Sequence, residues 1–90
     1  MKKDHKTIVA EYLRELSEDD LVILLTRLSD RKSGDLPEAL NLMSNHERMD
    51  HVLASARSAE DLFDMCDRIR DATYRECRSK GVNVGRLVAA

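Results

Sequence analysis

Apolar residues recur along this chain at intervals of three and four, the pattern of helices that each bury one face. Ile8, Val9, Tyr12, Leu13 and Leu16 fall on one side of a first helix, predicted over about Lys6 to Leu16 with Asp4 as its cap. Ser17 opens a second helix, and Asp20 three residues later completes a variant of the capping box. Glu18, Asp19 and Asp20 suit the positive end of that helix's dipole. Its stripe is Leu21, Leu24, Leu25 and Leu28, and it should end near Ser29 or Asp30. Residues 31–36 read as a loop turning at Ser33-Gly34-Asp35. A third helix begins near Pro37, where a missing N–H costs nothing, and Asp35 with Glu38 resembles another capping box. Leu36, Ala39, Leu40 and Met43 share its face.

Ser44-Asn45 breaks the third helix, and Asn45 is the expected cap of a fourth that reaches about Ala56 through Met49, Val52 and Leu53. Ser58 with Asp61 caps the longest helix, Ala59 to about Lys80, whose buried face should be Leu62, Met65, Cys66, Ile69, Thr73 and Cys77. Gly81 is placed to end it in the left-handed conformation, with Val82 packing back toward Cys77. These elements predict an all-α fold: a single small bundle of four to five helices with a long C-terminal helix packed across the others. The helical domain is residues 1–80, and residues 81–90 form a tail. Val82, Val84 and Val88 favour a short extended segment there, while Gly85 and the tail's brevity argue against order. Short connections favour antiparallel neighbours.

Length adds a constraint. A chain of 90 residues buries only about two-thirds of its surface, enough for one modest core and too little for a deep cofactor pocket. The longest unbroken apolar run, Leu21 to Leu25, is far short of the ~18 residues of a membrane span. Lys2, Lys3, Asp4 and Lys6 are followed by no apolar stretch of the kind a secretion signal carries. Cys66 and Cys77 on one helix lie about 16 Å apart, beyond the roughly 7 Å a disulfide bridges. Two free thiols point to a reducing compartment, and the chain reads as cytoplasmic. Eleven residues return both thiols to nearly one face, so both belong in the core as small hydrophobes.

Charge is unevenly distributed. The net is −2 at pH 7, but residues 1–7 carry +2, residues 8–67 carry −8 and residues 68–90 carry +4. A dedicated nucleic-acid binder usually has a basic domain, and this one is acidic with a basic end.

Catalytic and metal chemistry find little support. His46-Glu47-Arg48-Met49-Asp50-His51 resembles a zinc-protease helix, but its histidines are five residues apart. That spacing turns them about 140° away from each other, where metal ligation needs a spacing of four. There is no Gly-rich phosphate loop and no GxSxG motif. Ser17, Ser44 and Ser58 serve as caps, and Asp19 and Asp20 diverge. His5 reads as a rim or core histidine. No catalytic, cofactor-binding or metal-binding residue is assigned, and the chain is not expected to be an enzyme.

Interaction residues are easier to nominate. Arg70 lies near Phe63 and Tyr74, and Arg78 is close by. Arginine beside aromatic residues is enriched at interface hot spots, although an arginine stem also covers a core edge. Arg68 and Arg75 lie on the side that carries Asp64 and Asp71, in i,i+4 pairs that should neutralise them. Ile23 and Leu42 stand off their helices' stripes, as core, interface or plain surface. A homodimer with Ile23 and Leu42 near its interface is one expectation, two-fold dimers being the commonest oligomers.

The functional expectation is a small protein–protein interaction module acting as adaptor, regulator or inhibitor, of the kind encoded by bacteria and their mobile elements. Its partner would be another protein and not a membrane. The alternative is a nucleic-acid-associated regulator using the basic C-terminal segment. It is weakened because the fourth helix has only Arg48 as a fixed cation beside Glu47 and Asp50, which would repel phosphates.

Overall fold

Local sequence signals set the helix boundaries, and most act through the caps expected of them. In the computed structural model, which describes residues 4–29 and 36–82, five helices follow in order: α1 (His5–Glu15), α2 (Glu18–Ser29), α3 (Leu36–Ser44), α4 (Glu47–Ala54) and α5 (Ala59–Ser79). The Asp4 carboxylate accepts from the Thr7 N–H at 2.7 Å. Hydrogen bonding from the Thr7 side chain, and then from its backbone N–H, favours the charged form and holds the Asp4 pKa below the usual carboxylate value. Ser17 Oγ accepts from Asp20 N at 3.2 Å and Ser58 Oγ from Asp61 N at 3.1 Å. The Asp61 carboxylate reaches back to the Arg57 N–H at 2.9 Å. Each contact satisfies a donor that a helix start leaves orphaned.

The cap of α4 corrects the sequence reading. His46, and not Asn45, caps this helix, its Nδ1 accepting from Met49 N at 3.4 Å. The imidazole also stands edge-on to Tyr12, with ring centroids 5.0 Å apart, and that packing against α1 makes it the better cap. The same helix ends at Ala54, two residues before the expected Ala56. At the other end of the chain, Gly81 has φ +78°. Val82 N donates to Cys77 O at 2.9 Å and Gly81 N to Arg78 O at 3.1 Å, the two bonds of a Schellman motif. Val82 packs against the core as expected. The Ser33–Asp35 turn and residues 83–90, Val84 and Val88 included, lie outside the described residues.

One core gathers all five helices. Its largest contribution is the α2 stripe: Leu21, Leu24, Leu25 and Leu28 are all buried. The principal partner of α2 is α5, whose buried residues are Cys66, Ile69, Thr73 and Cys77. Three of those four are small, so large leucines meet a helix face that permits close approach. Thr73 is buried without cost to its hydroxyl, which donates to Ile69 O at 2.6 Å. Tyr12 and Leu13, Ala39 and Met43, and Met49 and Val52 complete the core from α1, α3 and α4. Leu62 and Met65, expected with the α5 face, are half-buried.

The helices close into a ring in which α1 packs on α5, α5 on α2, α2 on α3, α3 on α4 and α4 back on α1. Two short connections therefore fail to make principal neighbours. The α1–α2 link at residues 16–17 and the α4–α5 link at residues 55–58 turn the chain onto different partners, because α5 is long enough to serve both α1 and α2. Lys80 fastens this arrangement: its ammonium donates to Arg14 O at 3.3 Å and Leu16 O at 3.0 Å. A cation is favourable at those terminal carbonyls of α1. Among the described residues, no helix is long and apolar enough to cross a membrane.

Two predictions follow from the end of α5. No atom lies within 4 Å of the position a Gly81 Cβ would take, so Gly81→Ala carries only the left-handed backbone penalty. It should cost about 1–2 kcal/mol in urea denaturation, and Gly81→Asn should cost less. Burial also raises the Cys77 thiol above its ordinary 9.0, reinforced by the Glu76 carboxylate and opposed by Lys80. The folded state then keeps a proton that the unfolded chain releases, so stability falls as pH climbs past 9.0. Burial likewise raises Tyr12 above 10.0, adding to the loss only at higher pH. Cys77→Ala should be less stable overall but flatter between pH 8 and 10 in denaturation midpoints, and parallel profiles would refute the assignment.

Candidate functional site

The six residues singled out from sequence do not assemble into one site. Leu42 is half-buried and packs against the core. Ile23 is 42% exposed and Phe63 51% exposed. Tyr74 is half-buried against the core, and the Arg78 guanidinium lies over its ring, 5.9 Å from the centroid. Arg70, one turn from Tyr74 on the same helix, is held by two carboxylates, at 3.6 Å from Asp67 and 3.5 Å from Asp71. The arginine–aromatic edge of α5 thus exists, with Arg78 rather than Arg70 as its cation–π member.

Pairing on α5 differs from the expected i,i+4 pattern for a geometric reason. Arg70 lies between Asp67 and Asp71, one turn or less from each, and reaches both. Arg75 turns its Nε to the Asp71 backbone carbonyl at 3.4 Å. The expected neutralisation of Arg68 and Arg75 is therefore replaced by neutralisation of Arg70. Arg68 and Arg75 stand on a different face of the helix, where a concavity opens.

That concavity is a groove of about 700 Å³ between α1 and α5, with Val52 of α4 at its base. Val52 and Ile69 are buried, while Val9, Ala10, Met65 and Ala72 are half-buried and form its apolar walls. The rim is polar and exposed: His5 and Lys6 from the first turn of α1, and Arg68, Arg75 and Ser79 from α5. Glu76, half-buried, is the one acidic group lining it. His5, read from sequence as a rim or core histidine, is on the rim. The groove follows α5 through positions 65, 68, 72, 75 and 79, spaced alternately by three and four. This second stripe lies beside the buried one. It is hard to recognise in sequence because only Met65 and Ala72 of its members are apolar, and the apolar floor arrives from α1 and α4.

The histidine pair of the fourth helix is divided. His46 is the cap described above, with its Nε2 3.8 Å from a Glu15 carboxylate oxygen. His51 is exposed and borders a shallow depression of about 490 Å³ with Glu47, Asp50 and Ile8. Among the described residues, no three His, Cys, Asp or Glu side chains converge to hold a metal. Both cysteines are buried free thiols.

No protein-family model, curated protein or solved structure matches this chain. The geometry of the groove is therefore the basis of the functional reading.

Ile23 tests whether the exposed aliphatic on α2 is an interface. With Leu42 half-buried against the core, Ile23 is the more exposed of the two, and solitary apolar residues are normal on a protein surface. Ile23→Asp should alter stability by no more than about 0.5 kcal/mol and leave the sedimentation coefficient unchanged at high micromolar concentration. A dimer that this substitution dissociates would restore the two-fold interface.

Proposed function

We propose that this protein is a protein–protein interaction module, an adaptor, regulator or inhibitor whose working surface is the α1–α5 groove. The observation that carries the reading is the combination of an apolar floor with a rim of Lys6, Arg68 and Arg75 on a chain of net charge −2. Apolar walls supply binding energy through burial. The local positive rim steers and orients an acidic partner.

Nucleic-acid binding through the basic C-terminal segment fits less well. Three of its described cations are engaged elsewhere, Arg70 on Asp67 and Asp71, Arg78 on Tyr74 and Lys80, the C-cap of α5, on the end of α1, which leaves Arg68 and Arg75 on the groove rim. A phosphate-tracking surface needs its cations on one continuous face.

The reading is tested by quantitative affinity capture with the full chain and with Ala72→Arg, which places a long charged side chain in the groove. Proteins retained by the wild type should be lost with the variant, while circular dichroism shows an unchanged helical fold. Each captured protein, once purified, should bind directly and slow amide exchange in α1 and α5. Identical direct binding by both forms would overturn the assignment to the groove.

A further inference from the structure

We propose that the groove receives an amphipathic helix from a partner protein, about four turns long, with carboxylates seven residues apart facing Arg68 and Arg75. This rests on the interaction-module reading and specifies the chemistry of the partner.

The dimensions come from α5. The lining runs from Met65 to Ser79, a rise of about 21 Å, which an incoming helix of about 14 residues matches. The groove is open to solvent along one side, so it would leave much of a small ligand exposed, whereas ligand pockets typically bury 70–90% of their occupant. A helix laid in such a groove buries one face and keeps the other wet, the usual mode of helix-in-groove recognition. The three–four alternation of the α5 lining is also the spacing by which one helix seats against another. Ala72 at the middle of that stripe and Ala10 of α1 are small members of the lining, which leaves room for a third backbone to come close.

Charge sets the identity of the partner's polar positions. Arg68 and Arg75 are seven residues apart, two turns and about 10.5 Å along the axis, so they meet carboxylates at the same spacing on a neighbouring helix. Lys6, in the first turn of α1, adds a cation at the groove's rim. Glu76 opposes them alone, and it disfavours an acid directly above it, so the partner's acids belong at the Arg68 and Arg75 levels and not between. Aspartate and glutamate make the occupant acidic. Lysine or arginine at those positions would face like charge.

Selection from a displayed library of 15-residue amphipathic helices, with four inward positions fixed as leucine and the flanking positions varied among Glu, Lys, Ser and Gln, tests this on the full chain. Enriched sequences should carry glutamate pairs seven apart and bind as synthetic peptides. Their affinity should fall about tenfold in Arg68→Glu/Arg75→Glu, because each exposed pair contributes modestly. Peptides with lysine at the same two positions should recover that loss on the reversed-charge variant, which also demonstrates that the variant is folded. Raising salt should weaken the glutamate peptides and leave an all-serine control nearly unchanged. Enrichment of basic helices, binding insensitive to both charge reversal and Ala72→Arg, or no enrichment would overturn the proposal. So would self-association of the chain through the groove, or displacement of the peptide by an oligonucleotide. Failure of the selection together with groove-dependent capture of a native protein would discard the acidic helix and retain the interaction module. Failure of both would discard the two together.

Discussion

The leucine stripe of α2 against the small-residue face of α5 is the contact on which the remaining packing depends. Leu21, Leu24, Leu25 and Leu28 are buried, and they meet α5 at the largest of the interhelical contacts. Cys66, Thr73 and Cys77 offer little bulk, so the two helices can approach closely and fill the space between them with leucine. Every large-to-small change there would open a cavity with few neighbours able to collapse into it. A short chain tolerates such losses poorly, because its burial is small to begin with.

This contact determines what α5 can do elsewhere. With one face committed to α2, its 21 residues still have length and circumference to spare. One flank accepts α1, secured by Lys80 at the end of that helix. Because α1 is only 11 residues long and packs on both α4 and α5, it leaves part of the adjoining α5 flank uncovered, and the groove is that uncovered strip. The site is thus a by-product of unequal helix lengths in a closed ring. Its cations come from sequence positions that the core does not use.

Much of the fold was legible in the sequence because it is written in local signals. Asp4, Ser17 and Ser58 cap the helices they were expected to cap, and Gly81 ends α5 with the bonds anticipated for it. The buried stripe of α2 follows from periodicity alone, as do Cys66, Ile69, Thr73 and Cys77 of α5, while Leu62 and Met65 from the same expected face are half-buried. What was missed depends on neighbours in space. His46 displaces Asn45 as a cap because Tyr12 of α1 packs against it. Leu42, for which core, interface and plain surface all stayed open, is half-buried against the core. Arg70 and not Arg68 or Arg75 finds the carboxylates, since two acids flank it within a turn. The groove was invisible for the same reason: its floor is contributed by three helices, and no one of them carries the pattern.

The central claim is that the α1–α5 groove, and neither the exposed Ile23 nor the arginine–aromatic edge, is the surface this protein presents to its partner. Methyl-resolved NMR of the full chain during titration with a captured partner tests it most directly. The account predicts that shifts concentrate at Val9, Ala10, Met65 and Ala72, with the core leucines of α2 little changed. Shifts centred on Ile23, or on side chains around Phe63 and Tyr74 with the groove methyls unmoved, would contradict it.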